Sequence, residues 1–127
     1  MIEKPLTKNI DMTRPPLAIA EYEANDGYQS IRNIAKGMSP SDVLQETKES
    51  GLKGRGGAGF STGLKWSFVP QGDDTPKQKY FVVNADEMEP GTFKDRLIME
   101  GDPHLLLEGI IIGSFAIQAD TAYIFLR

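Results

Sequence analysis

The sequence predicts an α/β fold: an incomplete Rossmann-like parallel sheet with flanking helices, preceded by an extended N-terminal arm and short helices. Tyr80-Phe81-Val82-Val83 is a compact run of β-branched and aromatic residues, the pattern of a buried strand. From Pro103 to about residue 119 the chain is apolar nearly all round, the pattern of a helix buried on several sides. Residues 122–126 read as a second strand. Strand, helical crossover and strand make a βαβ unit, expected to be parallel and right-handed.

The remaining elements follow in chain order. Residues 1 to about 20 are polar and dotted with proline, and Pro15 and Pro16 forbid helix there. An extended arm lying over something larger is expected. Ile31, Ile34 and Ala35 recur at helical spacing, which predicts a short helix over 28–36. Ser39 can cap a following helix with Pro40 at its first position. Val43 and Leu44 would face the core, and Gly51 would end that helix. Residues 71–79 read as a loop, because Gly, Pro and charges stand there without periodicity. A helix over 92–100 would place Phe93, Leu97 and Ile98 on one face. Gly109 and Gly113, one turn apart, are expected to admit a second backbone. The organisation expected is an arm with short helices over 1–50 and an α/β domain over 51–127. A sheet of so few strands leaves apolar surface uncovered, so the sequence reads as cut off.

Composition narrows the function. The chain has 127 residues and a net charge of -4, which argues against a nucleic-acid footprint. It contains no cysteine, hence no disulfide, no thiol nucleophile and no cysteine ligand for an iron–sulfur cluster. The N-terminus has no apolar run of the secretory kind. The longest apolar segment, 105–117, is interrupted by Glu108, Gly109 and Gly113. It falls short of the roughly 20 residues that span a bilayer. A soluble, intracellular protein is expected.

Two stretches carry chemistry. In GRGGAGFSTGLKW, residues 54–66, Gly54, Gly56 and Gly59 match G-x-G-x-x-G. A Rossmann loop follows a strand and opens a helix. Here the glycines follow a predicted helix, and no clear helix start lies beyond Gly59. Phe60, not lysine, follows Gly59, so the Walker pattern fails too. Glycine N–H groups with free φ can still cradle an anion, aided by Arg55 and Lys65. A mobile surface loop is the other reading. Phe60 is a candidate for stacking on a base, while Trp66 fits plain core packing.

The second stretch, NADEMEPGT, places Asn84, Asp86, Glu87 and Glu89 at the end of the predicted strand. In open α/β sheets ligands sit at that end. Metal binding, polar contacts to ribityl or ribose hydroxyls, and a solvated acidic turn are the three readings. His104 is the single histidine, with no partner nearby in sequence, and receives no role. Lys94, Asp95 and Arg96 read as a solvated helix face.

Together SGLKGRGGAGFSTGLKWSFVP, YFVVNADEMEPGTFKDRLIMEGDPHLLLEGIIIGSFAI and AYIFLR resemble the family of NADH-binding, FMN-carrying subunits of respiratory complex I, the NADH:quinone oxidoreductase. The resemblance covers about residue 50 to the end. Diaphorase subunits of NAD-linked hydrogenases and formate dehydrogenases share these motifs. The resemblance implies hydride transfer from NADH to FMN and single-electron transfer onward to iron–sulfur clusters towards quinone.

Carried over, Gly54, Arg55, Gly56, Gly57 and Gly59 would line the flavin and nucleotide cavity. Lys65 would contact FMN, and Phe60 and Phe68 would stack on the adenine of NADH. Asn84, Asp86 and Glu87 would make polar contacts to FMN, and Glu89 would lie beside NADH. No catalytic residue and no metal ligand is implied. A 4Fe-4S cluster is expected only in the family's further C-terminal part. The implied partners are the small and large iron–sulfur subunits of the peripheral arm, and the implied place is the cytoplasmic side of the inner membrane, without insertion. Ser61 stands where the family usually has proline, which predicts a less rigid loop. The fragment alone is expected to be inactive. A non-catalytic interaction module is the alternative from another class.

Overall fold

A computed structural model describes residues 4–72 and 78–127. Part of the loop expected over 71–79 therefore lies outside the described residues. The elements run α1 (Ile19–Ala24), α2 (Gln29–Ala35), α3 (Pro40–Glu49), α4 (Thr62–Trp66), β1 (Tyr80–Asn84), α5 (Lys94–Gly101), α6 (Pro103–Ile117) and β2 (Thr121–Phe125).

The sheet is two-stranded and parallel, with Tyr80 opposite Thr121 and Asn84 opposite Phe125. α5 and α6 form the crossover, as the sequence predicts. Asp120 squares the start of the sheet. Its N–H donates to the Lys79 carbonyl at 2.9 Å, and its carboxylate accepts from the Lys79 N–H at 2.8 Å. α6 packs on β1, β2, α2, α3 and α5, so the core lies along it. Ile110, Ala116 and Ile117 of α6 are buried, as are Val43 and Leu44 of α3.

Local chemistry explains the helix ends. Ser39 Oγ accepts from the Asp42 N–H at 3.2 Å, and the Ser39 N–H donates to Asp42 Oδ2 at 2.8 Å. This reciprocal cap satisfies two orphan donors, with Pro40 in the first turn. Asp102 caps α6 by accepting from the Leu105 N–H at 3.3 Å. α6 stops at Gln118, which takes a left-handed conformation at φ +58°.

The strand expected to be buried is only half-buried, and on one face. Phe81 and Val83 turn towards α6, whereas Tyr80, Val82 and Asn84 are exposed. No second layer among the described residues covers the other face, where Tyr80 and Tyr123 lie with ring centroids 5.9 Å apart. Gly109 and Gly113 do not admit a backbone. A Cβ on Gly113 would lie 2.5 Å from Phe81 Cζ and 3.0 Å from Trp66 Cζ2, so that glycine makes room for an aromatic pair. Gly109 has nothing within 4 Å and opens onto an apolar cavity of about 380 Å³ between α2, α3, α4 and α6. Trp66 lies edge-on to Phe81 at 6.0 Å, the core role its sequence suggests.

The arm lies across α5, α6 and the turn between them. Asn9 donates to the buried Asp102 carboxylate at 3.0 Å, and Ile10 fills the space left by Gly101. α1, which sequence patterning does not separate from the arm, carries Tyr22 to Glu108 on α6, where its hydroxyl donates at 2.8 Å. His104 does have partners. Its Nδ1 shares a hydrogen bond with the Tyr28 hydroxyl at 2.8 Å, and its ring stacks on Tyr22. These contacts bridge 76 residues or more of sequence, which is why no local reading finds them.

Candidate functional site

The glycine stretch is closed at its base. Gly54 donates to the Phe60 carbonyl at 2.8 Å, Thr62 donates to the Leu52 carbonyl at 2.9 Å, and Lys53 and Ser61 form an antiparallel bridge. Within it Gly57 and Gly59 take φ of +106° and +62°, where a side chain is strained. The loop does open a helix, contrary to the expectation from sequence. Ser61 Oγ accepts from the Leu64 N–H at 3.3 Å and caps the five-residue α4. The bridge's hydrogen bonds come from Gly54 and Thr62, so what Ser61 itself adds here is the cap on α4.

The acidic turn is built in steps. Asn84 Oδ1 accepts from the Asp86 N–H at 3.1 Å, an Asx turn that ends β1. Thr92 donates to the Glu89 carbonyl at 3.1 Å, closing a β-turn with Pro90 second and Gly91 third at φ +83°. Glu87 reaches past this turn. Its Oε1 accepts from the Asp95 N–H at 2.9 Å and its Oε2 from the Arg96 N–H at 2.8 Å. Its pKa lies below the usual carboxylate range. Burial, the largest contribution, pushes it up, but the Asp95 and Arg96 N–H groups and nearby Lys94 together outweigh it. The stability this carboxylate contributes is present above the ordinary glutamate pKa and is lost as pH falls through the lowered one.

Loop and turn face each other across a polar cleft of about 700 Å³. Arg55, Gly56, Gly57 and Lys65 form one wall. Asn84, Asp86, Glu87 and Glu89 form the other, continued by Thr92, Lys94 and Asp95. The last three are cleft residues that sequence reasoning misses. Their signal is position, immediately after a turn at the end of a strand. Gly54, Gly59, Phe60 and Phe68 stand off this lining. Phe60 and Phe68 are exposed, with ring centroids 6.3 Å apart.

Asp86 is an enclosed carboxylate of the cleft, with 15% of its side chain exposed. Its Oδ1 has no hydrogen-bond partner, although Arg127 Nε stands 3.4 Å away and offsets its charge. An enclosed acceptor without a donor is costly unless a ligand supplies one. A cationic, glycine-lined end opposite hydrogen-bond acceptors suits a molecule with a phosphate at one end and donors at the other. FMN, with its phosphate, ribityl hydroxyls and ring N–H, has that chemistry. No group of three or more His, Cys, Asp or Glu among the described residues is arranged to hold a metal ion. No helix among the described residues is long and apolar enough to cross a membrane.

Comparison with known proteins gives the family. The chain is 51% identical over 123 residues to the F subunit of NADH-quinone oxidoreductase of Escherichia coli K12, covering 97% of this chain and 27% of that one. It is 50% identical over 127 residues to the F 2 subunit of NADH-quinone oxidoreductase of Rhizobium meliloti, covering all of this chain and 30% of the relative. It thus spans less than a third of the length of these relatives. Among solved structures, an NAD+-reducing [NiFe]-hydrogenase in the H2-reduced state aligns with a TM-score of 0.62 and 43% identity, over 70% of this chain and 15% of that one. The family profile described as the Nuo51 FMN-binding domain matches residues 47–127, and the chain belongs to that family.

Proposed function

We propose that this chain forms part of the FMN and NADH site of an NADH dehydrogenase subunit of the complex I type. The observation that carries the reading is the convergence of the glycine loop and Lys65 with the acidic turn across one cleft. Backbone N–H groups of Gly56 and Gly57, with Arg55 and Lys65, hold a phosphate. Asn84 and Asp86 accept hydrogen bonds from the flavin's hydroxyl or ring donors. Glu89 lies at the nucleotide side, and the exposed Phe60 and Phe68 offer faces for the adenine of NADH. Bound FMN supplies hydride acceptance from NADH and one-electron release.

In the full-length protein the activity is NADH oxidation, with electrons leaving through iron–sulfur clusters to quinone. The partners are the small and large iron–sulfur subunits, at the cytoplasmic side of the membrane. Residues 51–127 are the part of the flavin domain present here, and 1–50 the arm that braces it. A diaphorase subunit of an NAD-linked hydrogenase is the second reading, favoured by the structural likeness to such an enzyme. In either case the site needs further chain, so this chain alone is expected to give little or no NADH-dependent ferricyanide reduction.

A fluorescence titration of the purified chain with FMN tests the cleft. Saturable quenching in the micromolar range is expected. Lys65→Ala and Asp86→Ala should each weaken it about tenfold, the effect of losing one charge-assisted hydrogen bond of ~1.5 kcal/mol. Binding that ignores both substitutions would remove the cleft as the flavin site.

A further inference from the structure

Glu87 lines the cleft, yet both of its carboxylate oxygens are already engaged by backbone donors. They hold the N–H groups of Asp95 and Arg96 in the first turn of α5, at 2.9 and 2.8 Å. Those N–H groups need an outside acceptor, because the first turn of a helix has no partner within the helix. The residue at the N-cap position is Phe93, which offers no acceptor and is 70% exposed. Glu87 therefore does from six residues away what a local cap would do.

Its place in the chain matters as much as the bond. Asp86 is the residue before it, and the Glu89–Thr92 turn begins two residues after it. The Asx turn at Asn84 and the β-turn at Gly91 are each closed by one hydrogen bond, at 3.1 Å in both cases. Glu87 ties these two turns to a helix that itself packs on α6. Taking the carboxylate to a ligand would uncap α5 and free the segment that presents Asp86 and Glu89.

We propose that Glu87 is a positioning residue: clamped on α5, it sets the turn that presents Asn84, Asp86 and Glu89, and it does not itself bind the ligand. The ligand named in the test rests on the reading that the cleft takes FMN.

The test pairs Glu87→Ala with a replacement cap, Phe93→Asp, at the vacant N-cap position. Glu87→Ala alone should weaken FMN binding about tenfold and speed amide exchange at Asp86, Asp95 and Arg96. Adding Phe93→Asp should slow that exchange again and recover most of the affinity. Restored protection without restored binding would show that Glu87 touches the flavin and would overturn the proposal. So would unchanged affinity in Glu87→Ala. Exchange at Asp86 is also read without flavin. If it is the same in Glu87→Ala and the parent chain, the clamp does not set the turn. That arm stands even if the parent chain shows no FMN quenching, an outcome that would count against the flavin reading alone. Should Glu87→Ala fail to fold, the parent chain decides. Its Asp95 and Arg96 amides stay protected on adding FMN if Glu87 remains on α5, and become exposed if it leaves.

Discussion

Gly63→Ala should lower the unfolding free energy by about 2–3 kcal/mol, among the largest effects expected of a single methyl group in this chain. Gly63 is buried in α4, where that short helix lies against α3. A Cβ there would stand 2.6 Å from Lys48 N and 2.7 Å from Lys48 Cα. Both atoms are backbone, so no rotamer change relieves the overlap, and one helix must move. Alanine's better helix propensity returns only ~1 kcal/mol. The displacement also reaches the cleft, because Lys65 stands two positions along the same five-residue helix. Flavin affinity should therefore fall together with stability. Gly56→Ala is the control for backbone entropy, since nothing lies within 4 Å of a Cβ there. Urea unfolding of the three proteins decides the matter. A Gly63→Ala midpoint equal to that of Gly56→Ala would mean that the α3–α4 contact is not tight.

What the sequence makes legible here is what rests on local chemistry. Ser39-Pro40 announces α3, and the run at Tyr80–Val83 announces β1, because a cap and a β-branched run act within a few residues. The turns at Asn84 and Gly91 are equally local, although the sequence there reads only as an acidic turn among other readings. α4 escapes because it is only five residues long and begins inside a glycine-dense stretch, where apolar periodicity has no room to appear. The meaning of Ser61 escapes with it, since a cap can be recognised only when its helix is. Lys94 reads as a solvated residue, and its side chain is indeed nearly half exposed, but the exposure is to the cleft. The convergence of Arg55 and Lys65 with Asp86 depends on where α4 packs against α3 and β1 against α6. No local signal encodes that placement, so the motif resemblance carries the site where periodicity cannot.

The arm offers a harder test of the same packing argument. Gly27→Ala should cost about 3 kcal/mol and release the arm from α6. Gly27 is buried, and its N–H donates to the Tyr22 carbonyl at 2.9 Å. A Cβ would run into the Tyr22 ring and come within 2.5 Å of the Tyr22 carbonyl oxygen. The ring cannot yield cheaply. It is 3% exposed, stacks on His104 at 5.0 Å, and holds Glu108 through its hydroxyl at 2.8 Å. Moving it also disturbs Tyr28, which sits at φ +59° and bonds His104. Burial, and then the Glu108 carboxylate, push the Tyr22 pKa upward. The clasp is therefore fully stabilising below the ordinary phenol range and lost as pH rises beyond it. Tyr22→Phe separates the two components, because it removes only the hydroxyl and leaves the ring in place. It should cost about 1–2 kcal/mol, the penalty of leaving Glu108 without its donor. Limited proteolysis should then cut the arm of Gly27→Ala rapidly and that of Tyr22→Phe slowly. Equal cutting would mean that the hydroxyl, rather than the seating of the ring, fastens the arm, and the overlap at Gly27 would be relieved by a shift too small to matter.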